Sequence, residues 1–307
     1  MRIIITGGTG LIGAALAQQL LQDQHEVIIL TRNPARASGA PTGAKLQHWD
    51  GRTANGWSDL ADGAEAIVNL AGESIAGANP IVGRWNAARK QAIRDSRLNA
   101  GQAIVEAVEK AAKKPRMLIQ SSAVGYYGPR GPEEVTEDTP AGNDFLAQVC
   151  VDWEASTAAV EKHGVKRAII RTGIVLSPQG GALVPLKLAF SLFAGGPMGN
   201  GQQYWPWLHL ADEIAAIRFL IEQNAAGVFN LSAPTPLTNA EFARGLGQVM
   251  KRPSFMPTPA FALKIAMGEL AEALLLNGQR MMPRNLLKLG YKFRFTELAP
   301  ALTDLLG

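Results

Sequence analysis

The stretch "IIITGGTGLIGAALAQQLL" (3–21) decides how the chain is read. A β-branched apolar run ends at Thr6, then Gly7, Gly10 and Gly13 follow at three-residue spacing and open into an apolar helical pattern. Glycine in the first place permits a tight turn. In the second it lets the backbone approach a pyrophosphate, and in the third it lets the helix pack closely on the strand. Unpaired N–H groups at such a helix start, with the positive end of its dipole, make an anion site. Spaced glycines alone could be a structural turn. Strand before and helix after are the context that makes them a dinucleotide cradle.

The rhythm continues outward from this turn. "RIIIT" (2–6), "EVIILT" (26–31), "AIVNLA" (66–71), "RMLIQSS" (116–122) and "RAIIRTG" (167–173) are near-continuous apolar runs, the pattern of buried parallel strands. Helical patterns at about 11–23, 86–112 and 144–162 separate them. The expectation is α/β: a doubly wound parallel sheet over residues 1–173, then a smaller, interleaved α+β substrate domain over 174–307. "GVFNLSA" (227–233) reads as one more strand returning to the main sheet. The irregular segments 33–45, 72–84 and 123–143 follow carboxyl ends of strands, where ligands sit in such sheets.

Bulk composition narrows the function class. With 307 residues, 47% hydrophobic and 18% charged, the chain is globular and has ample surface to bury. The net charge of +4 is scattered, and its densest cluster, "EKAAKKPR" (109–116), suits the cationic end of a helix. No nucleic-acid partner is expected. The lone Cys150 excludes an internal disulfide and fits a reducing compartment. His25, His48, His163 and His209 show no ligand spacing, so no metal site is expected. A strand begins within two residues of Met1, which leaves no room for a signal peptide, and no run of about 18 apolar residues could span a membrane. The expected location is cytoplasmic, with no membrane partner.

The second strand selects the cofactor. An NAD site places Asp or Glu at its end to hold the ribose 2′-OH, whereas this strand ends "ILTRNPAR", with Thr31, Arg32 and then Arg36. A guanidinium there suits a 2′-phosphate, so NADP(H) is expected. In the helix beginning at Trp85, Arg97 shares a face with Ile93, Ala100 and Ile104. A charge on that stripe needs a partner, either an acid such as Glu73 or Asp50 or a group of the cofactor.

Together "TGGTGLIG" (6–13), "NLAGE" (69–73) and "SSAVGYYG" (121–128) resemble the extended short-chain dehydrogenase/reductase superfamily. "NLAGESI", "RW" (84–85), "SR" (96–97), "WE" (153–154), "RTGIVLSPQGGAL", "GGPMGNGQQYWPWLH" and "NAEFARGLG" narrow this to its atypical epimerase-family branch, some members of which are labelled cell division inhibitors. The resemblance spans nearly the whole chain. It implies an NADP-bound Rossmann core, a smaller C-terminal substrate domain, and cofactor contacts by Thr31, Arg32, Leu70, Ala71 and Arg97. The full candidate cofactor set is Gly7, Thr9, Gly10, Leu11, Ile12, Gly13, Thr31, Arg32, Asp50, Leu70, Ala71, Gly72, Glu73, Arg97 and Ser121.

The superfamily's proton donor is missing. Four residues beyond Tyr126, Tyr127, Tyr204 and Tyr291 stand Arg130, Gly131, Leu208 and Phe295, so Tyr-x-x-x-Lys occurs nowhere. Cys150 and Glu154 occupy the expected helix positions. Glu154 opposes thiolate formation at Cys150, and the plainer expectation is a small buried residue beside a capped or solvated carboxylate. The candidate catalytic residues are therefore Ser122, to orient a substrate oxygen, and Tyr126 or Tyr127, to supply a proton. Without a neighbouring cation such a phenol keeps its ordinary pKa of about 10, and either tyrosine could instead be a pocket wall. The loop "GGPMGNGQQYWPWLHLADE" (195–213) could cover a substrate or wedge the domains, and Asp212 is a candidate helix N-cap. The expected activity is that of an NADP-dependent oxidoreductase or epimerase on a small carbonyl or sugar-like substrate. The alternative is a non-catalytic NADPH-binding sensor or regulatory protein.

Overall fold

A computed structural model describes residues 1–77 and 84–307, so residues 78–83 of the expected irregular stretch 72–84 lie outside the described residues. The first strands are β1 (Arg2–Thr6), β2 (Glu26–Thr31), β3 (Lys45–His48), β4 (Ala66–Asn69) and β5 (Met117–Ala123). Beyond them run β6 (Glu134–Val135), β7 (Lys166–Thr172), β8 (Ile174–Ser177), β9 (Gly180–Gly181), β10 (Tyr204–Trp205), β11 (Trp207–His209) and β12 (Gly227–Leu231). Seven of these form one sheet in the order β12-β7-β5-β4-β1-β2-β3, every pair parallel. β3 was not expected. Its "KLQH" is an edge strand without an apolar run, and only its pairing with β2 (Thr31 opposite His48) reveals it.

Helices α1 (Leu11–Gln22), α2 (Ala87–Lys110), α3 (Phe145–Ala155) and α5 (Leu210–Glu222) cover the sheet, while α4 (Leu183–Ser191) packs on β8 and β9. Alternate β1 residues serve opposite layers. Ile3 and Ile5 pack with Leu16, Leu20, Ile217 and Leu220, while Ile4 packs with Ala100, Ile104 and Ala107. Each such fully buried aliphatic side chain contributes about 1.5–3 kcal/mol, which explains why both faces read as apolar. A buried polar ladder ties the carboxyl ends of three strands together. Thr6 donates to Asn69 at 2.7 Å, and Asn69 donates to Gln120 at 3.0 Å.

β8, β9 and β11 make a small sheet beside the large one, followed by α6 (Asn239–Met250) and α7 (Ala260–Met267). Trp205 and Trp207 are buried here with Leu183, Phe190, Phe242 and Leu246. The aromatic loop is therefore a wedge in a core and not a cover over a substrate. The expected N-cap is also corrected: His209 Nδ1 accepts from the Ala211 N–H at 2.9 Å. Asp212 is buried one turn later, accepting from the N–H groups of Arg294 and Phe295 at 2.7 and 2.9 Å.

Glu213, on the same turn, is fully buried and receives one hydrogen bond, from Thr172 at 3.0 Å. Its other carboxyl oxygen has no partner among the described residues. Burial pushes its pKa up to about 8 against that single bond. A raised folded pKa means stability is greatest below the unfolded value of 4.5 and is lost as pH rises through about 8. Glu213→Gln keeps an acceptor for Thr172 and removes the charge. Thermal melts are expected to show little difference from the parent near about pH 5 and a gain on the order of 3 kcal/mol near about pH 9. A gain independent of pH would refute the assignment.

Candidate functional site

The carboxyl edge of the sheet opens into a cleft of about 1340 Å³. Gly7, Thr9 and Gly10 form one wall at the start of α1. Gly7 has a φ of +67°, and a Cβ there would stand 2.6 Å from the Leu70 carbonyl oxygen. A Cβ on Gly13 would stand 2.4 Å from the Gly7 carbonyl oxygen. Both positions exclude larger residues, so the turn is a backbone cradle held against the strand beneath it. Leu70, Ala71, Gly72 and Glu73 line the facing wall after β4, and Gln91, Asp95 and Asn99 approach from α2.

The far end is strongly cationic. Arg32, Arg36 and Arg52 all line it, beside Asn33, Ser38 and Asp50. None of the three arginines is paired with a carboxylate among the described residues. Arg52 escaped the sequence reading. β3 brings its loop beside the end of β2, and a Cβ on Gly51 would stand 3.8 Å from the Arg32 side chain. Asp50 fixes that loop by accepting from the Arg52 and Thr53 N–H groups at 2.7 and 2.8 Å. Burial works against the Asp50 carboxylate, but these bonds prevail and lower its pKa.

Other candidates support the cleft from behind. Gly13 packs under the turn, and Ile12 faces the core. Leu11 meets β9, where a Cβ on Gly180 would touch it at 3.5 Å. Arg97 is buried behind Gly72, donating to the carbonyl oxygens of Glu73 at 3.2 Å and Ile93 at 2.8 Å, with its guanidinium 4.8 Å from the Trp153 ring. No carboxylate is paired with it among the described residues. Glu73 pairs with Arg89 at 3.0 Å, and Asp50 serves its own loop. Ser121 is buried at the end of β5 and does not line the cleft wall.

A second buried cation sits where the proton donor was sought. Arg171, from β7, grips Glu154 of α3 through two bonds of 2.9 and 3.0 Å. Burial works against the Arg171 charge, and the Glu154 carboxylate more than restores it. Ser122 donates to the same carboxylate at 2.6 Å. An arginine-paired carboxylate offers only acceptors, so the hydrogen of that bond belongs to Ser122. Glu154 is thus neither capped nor solvated, and Ser122 can present only lone pairs to a ligand. Cys150 lies beside them with its thiol pushed up to about 11, first by burial and then by Glu154.

The tyrosines have different fates. Tyr127 is fully buried; its hydroxyl donates to Asn230 at 2.6 Å and accepts from Arg171 at 3.1 Å. Burial raises its pKa to about 12 despite the nearby cation. Tyr127 is a core residue, packed with Val135 and Met281, and its enclosed hydroxyl is not placed to give a proton to a ligand. A cation does neighbour the other phenol: the Arg171 guanidinium stacks 3.3 Å from the Tyr126 ring centroid. Tyr126 is half-buried, and its hydroxyl is in no hydrogen bond among the described residues. Arg171 was itself visible in the sequence as a lone charge within an apolar strand, the same signal that singled out Arg97.

This geometry has relatives. The family model described as "NAD dependent epimerase/dehydratase family" matches residues 3–232, and a domain of unknown function (DUF1731) matches residues 258–305. Epimerase family protein MT2273 of Mycobacterium tuberculosis is 38% identical over 301 residues, covering 98% of this chain and 96% of that protein. The crystal structure of human epimerase family protein SDR39U1 (isoform 2) with NADPH superposes with a TM-score of 0.88 at 33% identity, covering 99% of both chains. The fold alone is shared with the NAD complex of Thermus thermophilus UDP-glucose 4-epimerase, at 17% identity and a TM-score of 0.75 over 99% of this chain and 98% of that one. A glycine cradle at the head of a seven-stranded parallel sheet, matched over most of the chain, places this protein in the NAD dependent epimerase/dehydratase family.

Proposed function

We propose that the chain binds NADP(H) and interconverts a small carbonyl or sugar-like substrate with its alcohol, using an atypical site. The observation that carries the cofactor is the trio Arg32, Arg36 and Arg52, unpaired with carboxylates among the described residues and gathered at one end of a cleft that begins with the glycine cradle. A doubly charged 2′-phosphate is the anion that three guanidinium groups suit, and the backbone N–H groups at α1 suit the pyrophosphate. NADPH is also the ligand of the human relative. Bound there, NADPH would supply the hydride.

The chain's residues account for the rest. Tyr126 donates the proton to the developing alkoxide, which needs a positioned donor and no depressed pKa. Ser122, with its hydrogen held by Glu154, orients the substrate by accepting from one of its hydroxyl groups. Arg171 stacks on the Tyr126 ring and limits its orientation. A second reading, a non-catalytic NADPH sensor, draws on the burial of Cys150 and Glu154 at the positions where Tyr and Lys serve catalysis.

Turnover separates the two. The chain with NADPH is screened against aldehydes, ketones, quinones and nucleotide sugars. Tyr126→Phe is expected to lower kcat about 10²- to 10⁴-fold with NADPH affinity unchanged. Tight NADPH binding without turnover across the panel would leave the sensor.

A further inference from the structure

Among the described residues, twelve large apolar side chains are exposed; six lie in two neighbouring segments, and Phe261 and Ile265 follow on α7. On α4 and its C-terminal turn, Val184, Leu188 and Leu192 recur every four residues and are 45, 56 and 69% exposed. Phe193 follows at 58%, in a left-handed conformation (φ 59°) where glycine is the usual helix terminator. In the coil after α6, Phe255 and Met256 are 77 and 51% exposed. The segments meet: the Met256 N–H donates to the Gly195 carbonyl, and Arg252 stacks 4.8 Å from the Phe193 ring. None of these residues lines the cofactor cleft or the smaller cavity beside α7.

The charges within the two segments have one sign. Residues 183–198 and 250–262 contain Lys187, Lys251 and Arg252 and no Asp or Glu. All three bases are exposed, and none is paired with a carboxylate among the described residues. A second copy of the same face would bring these like charges together. An anionic partner suits them, and one that takes up aromatic and aliphatic side chains without offering knobs of its own is a lipid surface.

We propose that the face formed by α4, its terminal turn and the 251–256 coil lies on an anionic membrane, with Leu192, Phe193 and Phe255 entering the acyl boundary and Lys187, Lys251 and Arg252 at the headgroups. No helix among the described residues is long and apolar enough to cross a membrane. The association is peripheral and independent of any catalytic activity.

The test is co-sedimentation of the full chain, with NADPH present, on vesicles of phosphatidylcholine alone or with phosphatidylglycerol. The expected result is binding only to the mixed vesicles, released by salt. Lys251→Glu with Arg252→Glu should weaken it by at least about fivefold per charge, and Leu192→Asp with Phe255→Asp should abolish it. These side chains are solvent-exposed, so folding is checked by unchanged NADPH binding and melting. No sedimentation on the mixed vesicles, equal sedimentation on both compositions, or an undiminished Leu192→Asp/Phe255→Asp variant each overturns the proposal. So does sedimentation velocity showing a parent dimer that the apolar pair of substitutions splits, since a second copy then covers the face.

Discussion

Replacing Arg32 and Arg52 together with alanine is expected to weaken NADPH by about a hundredfold and NADH by no more than about threefold. Both side chains line the same end of the cleft, on loops that β2 and β3 bring side by side. Each guanidinium can make charge-assisted hydrogen bonds to a phosphate oxygen, and removing either guanidinium costs roughly a factor of ten in affinity. NADH lacks the group they answer and still binds at the glycine turn. Single substitutions should give intermediate losses, because Arg36 remains nearby and partly compensates. Isothermal titration with both nucleotides, at two salt concentrations, provides the measurement. The NADPH penalty should shrink as salt rises, since these exposed charges are screened. Equal losses for NADPH and NADH would assign the arginines to some other anion and remove the main support for the cofactor.

What was legible in the sequence was what is set locally. The glycine turn could be read because three positions within seven residues carry its whole geometry, and Gly7 and Gly13 meet the steric limits their spacing implied. The buried strands could be read because a sheet covered on both faces writes itself as continuous apolar runs. β3 could not be read in that way. An edge strand has one neighbour and exposed side chains, so "KLQH" carries no apolar signature, and Arg52 was missed with it. The pair Glu154–Arg171 was hidden for a different reason: α3 and β7 meet only in the folded chain. Each could be noticed alone, Glu154 as a capped or solvated carboxylate and Arg171 as a lone charge within an apolar strand, but nothing in the sequence joined them. Trp205 and Trp207 left two readings open because aromatics near glycines look alike in a lid and in a wedge, and only burial separates the two.

The Glu154–Arg171 pair gives the other large effect, on stability. Arg171→Met is expected to destabilise the chain by about 3–5 kcal/mol, because it leaves the Glu154 carboxylate buried with Ser122 as its remaining donor. Arg171→Met combined with Glu154→Gln should recover most of that loss. Both charges are then gone, methionine fills the guanidinium's volume, and the glutamine can still accept from Ser122. Recovery will be incomplete, since Arg171 also donates to Tyr127 and to the Glu137 carbonyl oxygen and stacks on Tyr126. Urea denaturation of the parent, both single variants and the double variant closes a thermodynamic cycle, with an expected coupling of at least about 2 kcal/mol. If the two substitutions simply add, the carboxylate and the guanidinium are not the unit inferred. Ser122 would then be free to turn its hydrogen toward a substrate, and the case for it as an acceptor would fall with the pair.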